Sequence, residues 1–133
     1  MFPKFGGVFN SVILALFVIT VISVKKVSAE VHEIKSTAEF DNFLQSGVFA
    51  ANFYADWCGQ CSDLAPQFDQ LSRDYPNSVS FVKIDADAVN ELARKYGVRT
   101  LPTTIIFRDG HLQRTVPGAR IEPIKQAILS ELE

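Results

Sequence analysis

The feature that most restricts the fold of this chain is a pair of cysteines separated by two residues, between a strand-like and a helix-like segment. The stretch "VFAANFY" at 48–54 is apolar at almost every position, which is typical of a strand buried on both faces. Beyond Cys58, apolar residues recur at helical spacing. They are Cys61, Leu64, Ala65, Phe68 and Leu71. The sequence therefore predicts a buried strand, a Cys-Gly-Gln-Cys motif and a helix that starts at this motif.

Two cysteines in this arrangement can bind zinc, brace the chain or exchange disulfides. A zinc site needs two more ligands, and only His32 and His111 are available, in separate segments. A bracing disulfide would close so short a loop that it removes little entropy from the unfolded chain. Redox chemistry is favoured, because a helix N-terminus lowers the pKa of an exposed Cys58 thiol and makes it a nucleophile. Cys61, one turn further on the same face, can then attack a mixed disulfide at Cys58.

The rest of the sequence alternates between strand and helix patterns and predicts an α/β fold in the order βαβαβαββα. Ser36, with Glu39 three residues later, fits a capping box at the start of the first helix. Strands separated by helices are expected to be parallel neighbours, with an antiparallel edge from a final hairpin and helices on both faces. The predicted strands are 28–34, 48–54, 79–85 and the two sides of Asp109 and Gly110, and the predicted helices are 36–47, 58–75, 92–96 and 122–132.

The first 29 residues contain no acidic residue and differ in composition from the rest. Residues 12–24 form a largely apolar run that no charge interrupts, and its length fits a secretory signal peptide (about 7–15 residues) better than a spanning helix (about 20). Small residues at both ends of "VSA", 27–29, match the pattern that signal peptidase cleaves. We therefore expect residues 1–29 to be a signal peptide, and a mature, secreted domain to comprise residues 30–133.

Two alternatives for the same segment stay open. Lys25 and Lys26 follow the apolar run, and positive charge there can end a membrane anchor, so residues 5–24 are an alternative membrane tether. A mitochondrial presequence is less favoured, because such sequences are amphipathic and rich in arginine, and this one has no arginine. The final "SELE" differs from the retrieval tetrapeptide of the endoplasmic reticulum, which favours secretion or a tether over lumenal retention.

The charge of residues 30–133 argues against nucleic acid as a partner. Ten basic residues face fifteen acidic ones, so the net charge is −5 and no basic stripe stands out. This part of the chain is long enough for a single hydrophobic core, and we expect a monomer.

Six motifs in residues 30–133 give the chain a resemblance to the thioredoxin family. They are "WCGQC" at 57–61, Pro66, "VKID" at 82–85, "GVRTLPT" at 97–103, "DG" at 109–110 and "PGA" at 117–119. The resemblance implies a thioredoxin fold and a protein dithiol–disulfide oxidoreductase, with Cys58 attacking and Cys61 resolving. It implies disulfide-containing proteins as substrates, a reductase or other thiol compound as electron donor, and the redox-active disulfide in place of any other cofactor or metal.

The same resemblance implies a substrate groove beside the cysteines. Pro102 matches the family's cis-proline, and the backbone of Leu101 is then expected to pair with an extended substrate segment. Gly118 matches a position that keeps the groove open, although it can also be a simple turn. Ala119 and Trp57 would complete an apolar rim, and the alternative for Trp57 is packing in the core.

Two departures from the family concern its redox chemistry. Asn52 stands where the family usually has an aspartate that helps to deprotonate the resolving thiol, and Gln60 replaces a usual proline. Lys83, the expected partner of that aspartate, is still present, either buried along an apolar surface or with its amine in water. Fewer negative charges favour a thiolate at Cys58, which predicts a higher reduction potential. The positions expected to tune the redox chemistry are Asn52, Trp57, Gly59, Gln60 and Lys83.

The competing function is an adaptor of the same fold, in which the groove binds a partner and the cysteines are dispensable. Within the enzyme class, a reductase, an oxidase and an isomerase are equal expectations. The natural substrates follow from neither the motif nor the groove residues.

Overall fold

Strands and helices alternate along residues 30–133, which are the residues that the computed structural model describes. They are β1 (His32–Ile34), α1 (Thr37–Phe43), β2 (Val48–Tyr54), α2 (Gly59–Asp74), β3 (Val79–Asp85), α3 (Asn90–Lys95), β4 (Thr103–Arg108), β5 (His111–Pro117) and α4 (Ile121–Leu132). The predicted order βαβαβαββα is confirmed. The signal, tether and presequence hypotheses concern residues 1–29 and lie outside the described range. Within that range no helix is both long and apolar enough to cross a membrane.

The strands form one mixed sheet in the order β1-β3-β2-β4-β5. β3 pairs in parallel with β1 and β2, whereas β4 runs antiparallel to both β2 and β5. The expectation of parallel neighbours is therefore wrong for β4, although α3 precedes it. The six residues of α3 span only about 9 Å, too little to return the chain along a strand of about 23 Å. β4 consequently starts near the end of the sheet where β3 finishes and runs back along the free edge of β2.

Helices cover both faces of the sheet, and β2 lies in its centre with only Tyr54 half-exposed. Under α1 and α3, the core includes an aromatic cluster in which the ring of Phe40 lies 5.3–5.7 Å from three other rings. Those rings belong to Phe49, Tyr96 and Phe107. Under α2 and α4, the second core contains Leu64, Phe68, Ile124 and Ile128. Alternate residues of β2 face the two cores, which places Asn52 on the α2 side, with Val48 and Ala50.

The predicted capping box of α1 is only half correct. Ser36 is the N-cap, and its hydroxyl accepts the Glu39 N–H at 3.2 Å. The Glu39 carboxylate, however, accepts the Lys35 N–H at 2.7 Å and also contacts His32 instead of returning to Ser36. β1 begins at His32, so this carboxylate joins the start of α1 to the edge strand.

The hairpin between β4 and β5 turns at Asp109 and Gly110, as predicted. Both have positive φ (50° and 84°), the combination that a two-residue type I′ turn requires. The Asp109 carboxylate accepts the Gly47 N–H at 2.8 Å, and the Asp109 N–H donates to the Gly47 carbonyl at 3.0 Å. The hairpin is thus fastened to the turn before β2. β5 itself is an exposed outer strand, with an irregularity in register opposite Ile106 and Phe107.

Candidate active site

Cys58 caps the N-terminus of α2. Its backbone is extended (φ −89°, ψ 105°), and its sulfur accepts the Cys61 N–H at 3.2 Å. The Cys58 N–H donates to the Ala55 carbonyl at 3.2 Å, which holds the turn between β2 and the helix. The sulfur of Cys58 therefore lies at the positive end of a sixteen-residue helix, in the position of a normal capping oxygen.

Cys58 and Cys61 are joined by a disulfide, with their Cα atoms 5.3 Å apart. The exposed fractions of the two residues are 7% and 6%, so the expectation of an exposed Cys58 is wrong for this oxidised state. Ala55, Tyr54 and Leu101 pack around the pair and account for this burial. The two cysteines differ mainly in their relation to α2, because Cys58 caps the helix and Cys61 belongs to its first turn.

The two residues between the cysteines, Gly59 and Gln60, are both exposed in the first turn of α2. A Cβ added to Gly59 would have no atom within 4 Å, so the space beside it is open. The backbone at Gly59, next to the buried pair, is therefore not covered by other residues.

Trp57 is at the surface, with 73% of its area exposed, so the core alternative for this residue is wrong. Its indole Nε1–H donates to Asp87 Oδ2 at 2.8 Å. Asp87 lies in the turn after β3, and its own N–H donates to Asp85 Oδ1 at 2.9 Å. The indole is thereby held as a flat face beside the disulfide. Sequence reasoning missed Asp87, because a contact across thirty residues leaves no local pattern.

The structure brings Leu101, Pro102 and Gly118 together at the same end of the sheet. The Leu101–Pro102 peptide bond is cis, as the family resemblance implies. The Gly118 N–H donates to the Pro102 carbonyl at 2.9 Å, and its φ of 101° strains any residue with a side chain. Leu101 also packs against the cysteine pair, whereas Ala119 is half-buried against the core under α2 and α4.

Asn52 is buried in β2, with 7% of its area exposed. Its side-chain N–H donates to Thr104 Oγ1 at 3.0 Å, and it lies opposite Lys83 in the register of β2 and β3. Lys83 is exposed, with Nζ 5.9 Å from the centre of the Tyr54 ring. The alternative of a buried Lys83 is therefore wrong, because the residue is exposed and its ammonium group lies over the face of the Tyr54 ring.

Tyr54 contributes a polar group that the apolar pattern of β2 did not reveal. Its hydroxyl donates to Glu33, whose carboxylate also pairs with Lys35 at 2.9 Å. Burial, and then the hydrogen bond to Glu33, raise the pKa of Tyr54 well above its ordinary value. The hydrogen bond from Tyr54, with help from Lys35, lowers the pKa of Glu33. Near neutral pH this pair is a phenol donating to a carboxylate.

A cavity of about 210 Å³ lies between α2 and the sheet and reaches Cys61. Asn52 and Lys83 both line it. Asp56 and Asp69 also line it, and no local pattern in the chain singled out either residue. Within residues 30–133 no cluster of three or more histidine, cysteine or acidic side chains is placed to hold a metal ion.

The disulfide caps a helix at the carboxyl end of the central strand β2, next to the uncovered backbone of Gly59. Such a disulfide is suited to exchange with a thiol or disulfide of another molecule. The fold and this site together define a thiol–disulfide oxidoreductase of the thioredoxin fold.

Comparisons with known proteins support this class. The family model "Thioredoxin" matches residues 30–130. Thioredoxin-1 of Saccharomyces cerevisiae is 37% identical over 99 residues, which are 74% of this chain and 95% of the yeast protein. The chain belongs to the thioredoxin family.

Solved structures agree with the sequence comparisons. Malassezia sympodialis thioredoxin superposes with a TM-score of 0.74 at 29% identity, over 83% of this chain and 97% of the other. Mitochondrial thioredoxin 3 of Saccharomyces cerevisiae superposes with a TM-score of 0.72 at 30% identity, over 75% and 94%. The fold class predicted from the sequence is confirmed.

Proposed function

We propose that this protein reduces or exchanges disulfides in other proteins, with Cys58 as the attacking thiol and Cys61 as the resolving thiol. The observation that carries the proposal is the position of the Cys58 sulfur, which accepts the Cys61 N–H at 3.2 Å at the start of α2. In the reduced protein, the same N–H and the helix dipole stabilise a thiolate at Cys58. Cys61 lies within the first turn of α2 and does not cap the helix, so it takes the role of the resolving thiol.

The reaction proceeds by two exchanges. The Cys58 thiolate attacks one sulfur of a substrate disulfide, and the other substrate sulfur leaves as a thiolate. Cys61 then loses its proton and attacks Cys58, which forms the Cys58–Cys61 bond and releases the second substrate sulfur. Two electrons pass to the substrate, so a reductase or another thiol donor must reduce the pair again. The cycle uses no further cofactor and no metal.

The substrate groove of this proposal follows Leu101 and Pro102. An extended substrate segment would pair with the backbone of Leu101 and place its disulfide over Cys58. Trp57 offers an exposed indole on one side, and Gly118, which has no side chain, leaves the other side open. The exposed part of Ala119, which otherwise packs against the core under α2 and α4, would form the far rim. Because main-chain pairing supplies most of the contact, recognition of substrate sequence is expected to be broad.

A purified chain that has this function will accelerate the reduction of insulin by dithiothreitol. The turbidity of the precipitating insulin B chain reports the rate. We expect the lag before precipitation to shorten as protein is added. A lag equal to that with dithiothreitol alone would remove the proposal.

We further propose that Asn52 and Lys83, with Trp57, Gly59 and Gln60 around the pair, set a reduction potential above the thioredoxin value of about −270 mV. Asn52→Asp would add a buried negative charge near the sulfurs and make the Cys58 thiolate less stable. We expect this variant to lower the potential by about 30 mV, which corresponds to about 1.4 kcal/mol for two electrons. Equilibration with a series of glutathione ratios measures the change.

Thr104→Val is the matched control for this variant. It removes the hydrogen bond to Asn52 without adding charge, so we expect a change below about 10 mV, a minor fraction of the expected shift. If Asn52→Asp shifted the potential no more than the control, charge at position 52 would not tune the pair.

For localisation, we propose that residues 1–29 direct the protein into the secretory route, because residues 12–24 are apolar and residues 27–29 fit a cleavage site. Amino-terminal sequencing of the protein recovered from its native cells should then begin at Glu30. An intact amino terminus in the membrane fraction would indicate the tether instead. Recovery from mitochondria would indicate import, which the likeness to a mitochondrial thioredoxin also allows.

A further inference from the structure

The resolving step requires a proton to leave a buried thiol. Cys61 has only 6% of its area exposed, and a thiol must lose its proton before it can attack a disulfide. The cavity of about 210 Å³ beside Cys61 offers a route, because it is lined by both apolar and charged side chains. Its volume exceeds what a few water molecules need, at about 30 Å³ each.

We propose that Asp56 accepts the proton of Cys61, through water in this cavity, when Cys61 resolves the mixed disulfide at Cys58. The inference rests on the proposed function and adds the group that activates its second thiol. Asp56 lines the same cavity as Cys61 and is exposed, so its carboxylate stands where the cavity meets solvent. A proton accepted there can pass on to bulk water.

The other polar groups of the cavity are less suited to accept this proton. Asn52 is an amide, which is not a base, and its N–H is committed to Thr104. Tyr54 holds its own proton, because its hydroxyl donates to Glu33. Lys83 is a cation that stabilises a thiolate but does not take up its proton.

Asp69 is the remaining carboxylate that lines the cavity, and it lies too far from Cys61 along α2 to accept the proton. It follows Cys61 by eight residues, which corresponds to about 12 Å along the helix axis. It also lines a second cavity with Arg73 and Lys83, away from the cysteines. Asp56 precedes Cys58 by two residues, in the turn that the hydrogen bond from Cys58 to Ala55 closes.

The step balances without an additional reactant. The Cys61 S–H bond breaks, and its proton moves through water to the Asp56 carboxylate. The Cys61 thiolate attacks the Cys58 sulfur, the Cys58–Cys61 bond forms, and the substrate sulfur leaves with the electron pair of the broken bond. Asp56 then gives the proton to water or to the departing thiolate. The dithiol is oxidised and the substrate disulfide is reduced.

Several charged and titratable groups surround this step and belong to different elements. They are Tyr54 on β2, Lys83 on β3, Asp69 on α2, Glu33 on β1, and Asp85 and Asp87 at the end of β3. Burial and the hydrogen bond to Glu33 contribute most to the raised pKa of Tyr54, and Asp56 adds a smaller contribution as a nearby negative charge.

The test follows the two exchanges separately. The reduced full chain is mixed with 5,5′-dithiobis(2-nitrobenzoate) in a stopped-flow instrument, and the thionitrobenzoate released is recorded at several pH values. The first phase reports attack by Cys58, and the second reports resolution by Cys61. We expect Asp56→Asn to slow the second phase about tenfold near pH 6.5 and to leave the first within about twofold. The deficit should vanish near pH 9, where a thiol of ordinary pKa (about 8.5) ionises without help.

The sign of the effect separates proton transfer from simple electrostatics. If Asp56 acted only through its charge, Asp56→Asn would make the Cys61 thiolate easier to form and would speed the second phase. A faster or unchanged second phase would overturn the proposal. Asp56→Glu keeps the carboxylate and should retain at least about half of the wild-type rate, and a rate as low as that of Asp56→Asn would also overturn it.

Asp69→Asn is the matched control, with the same change of charge in the same cavity. We expect both phases to stay within about twofold of wild type, and a deficit equal to that of Asp56→Asn would overturn the assignment to Asp56. The insulin assay on the wild-type chain keeps the two proposals apart. If the wild type reduces insulin and Asp56→Asn behaves like it, only the role of Asp56 fails. If the wild type does not reduce insulin, the proposed function fails first.

Discussion

Cys58→Ser is expected to lose insulin reduction completely, down to the rate of dithiothreitol alone. The helix end that stabilises a thiolate at position 58 cannot ionise a serine hydroxyl near neutral pH, so no mixed disulfide forms. Cys61→Ser is expected to keep the first attack, because the capping contact with Cys58 comes from the backbone N–H of residue 61 and survives the substitution. Without a resolving thiol, substrates should stay covalently attached to Cys58.

Electrophoresis without reducing agent distinguishes the two variants. Complexes that form with Cys61→Ser and disappear on reduction would identify natural substrates, and Cys58→Ser is the control that should form none. Equal trapping by both variants would contradict the assignment of attacking and resolving thiols. The double serine variant addresses the adaptor alternative, since biological activity retained without either sulfur would mean that the groove acts alone.

The second large effect is expected from Phe40, whose ring is fully buried among Phe49, Tyr96 and Phe107. Phe40→Ala removes most of a side chain from this cluster and leaves a cavity that the two sides of the core cannot fill without moving. We expect the free energy of unfolding to fall by about 3–5 kcal/mol. For a domain of this size, that corresponds to a fall in melting temperature of about 15 °C or more.

Urea unfolding followed by circular dichroism measures the loss. Leu112→Ala is the control, because Leu112 is 45% exposed on β5 and its truncation should cost less than about 0.5 kcal/mol. A loss below about 1 kcal/mol for Phe40→Ala would show that the core under α1 and α3 tolerates a gap. Such a result would contradict the view of this cluster as the centre of that core.

Most of the fold could be predicted from the sequence because its signals are local. The apolar run of β2, the helical spacing after Cys58 and the turn at Asp109–Gly110 each depend on neighbouring residues. The direction of β4 could not be read in this way. It depends on how far the short α3 carries the chain and on which sheet edge is still free, and both follow from packing.

In the candidate site, too, the features set by neighbouring residues could be predicted, and the contacts between distant residues could not. The cap formed by Cys58 follows from its place between a strand and a helix, and its sulfur does lie at the helix end. Contacts across the chain were missed, such as Trp57 with Asp87 and Asn52 with Thr104. The burial of Cys58 was also missed, because Leu101, more than forty residues away, packs over the pair together with Tyr54 and Ala55. Local patterns predict which residues begin an element, but not which distant side chains cover them.

The exposed outer strand β5 has a consequence for how the protein meets other chains. An outer strand with free backbone groups invites a second chain to add to the sheet, which is a common origin of aggregation. Here the irregular pairing opposite β5, the positive charge of Arg114 and the ring of Pro117 at its end all discourage such addition. Extension of the sheet beyond β5 is therefore disfavoured, whether the added strand comes from a second copy of the chain or from another protein.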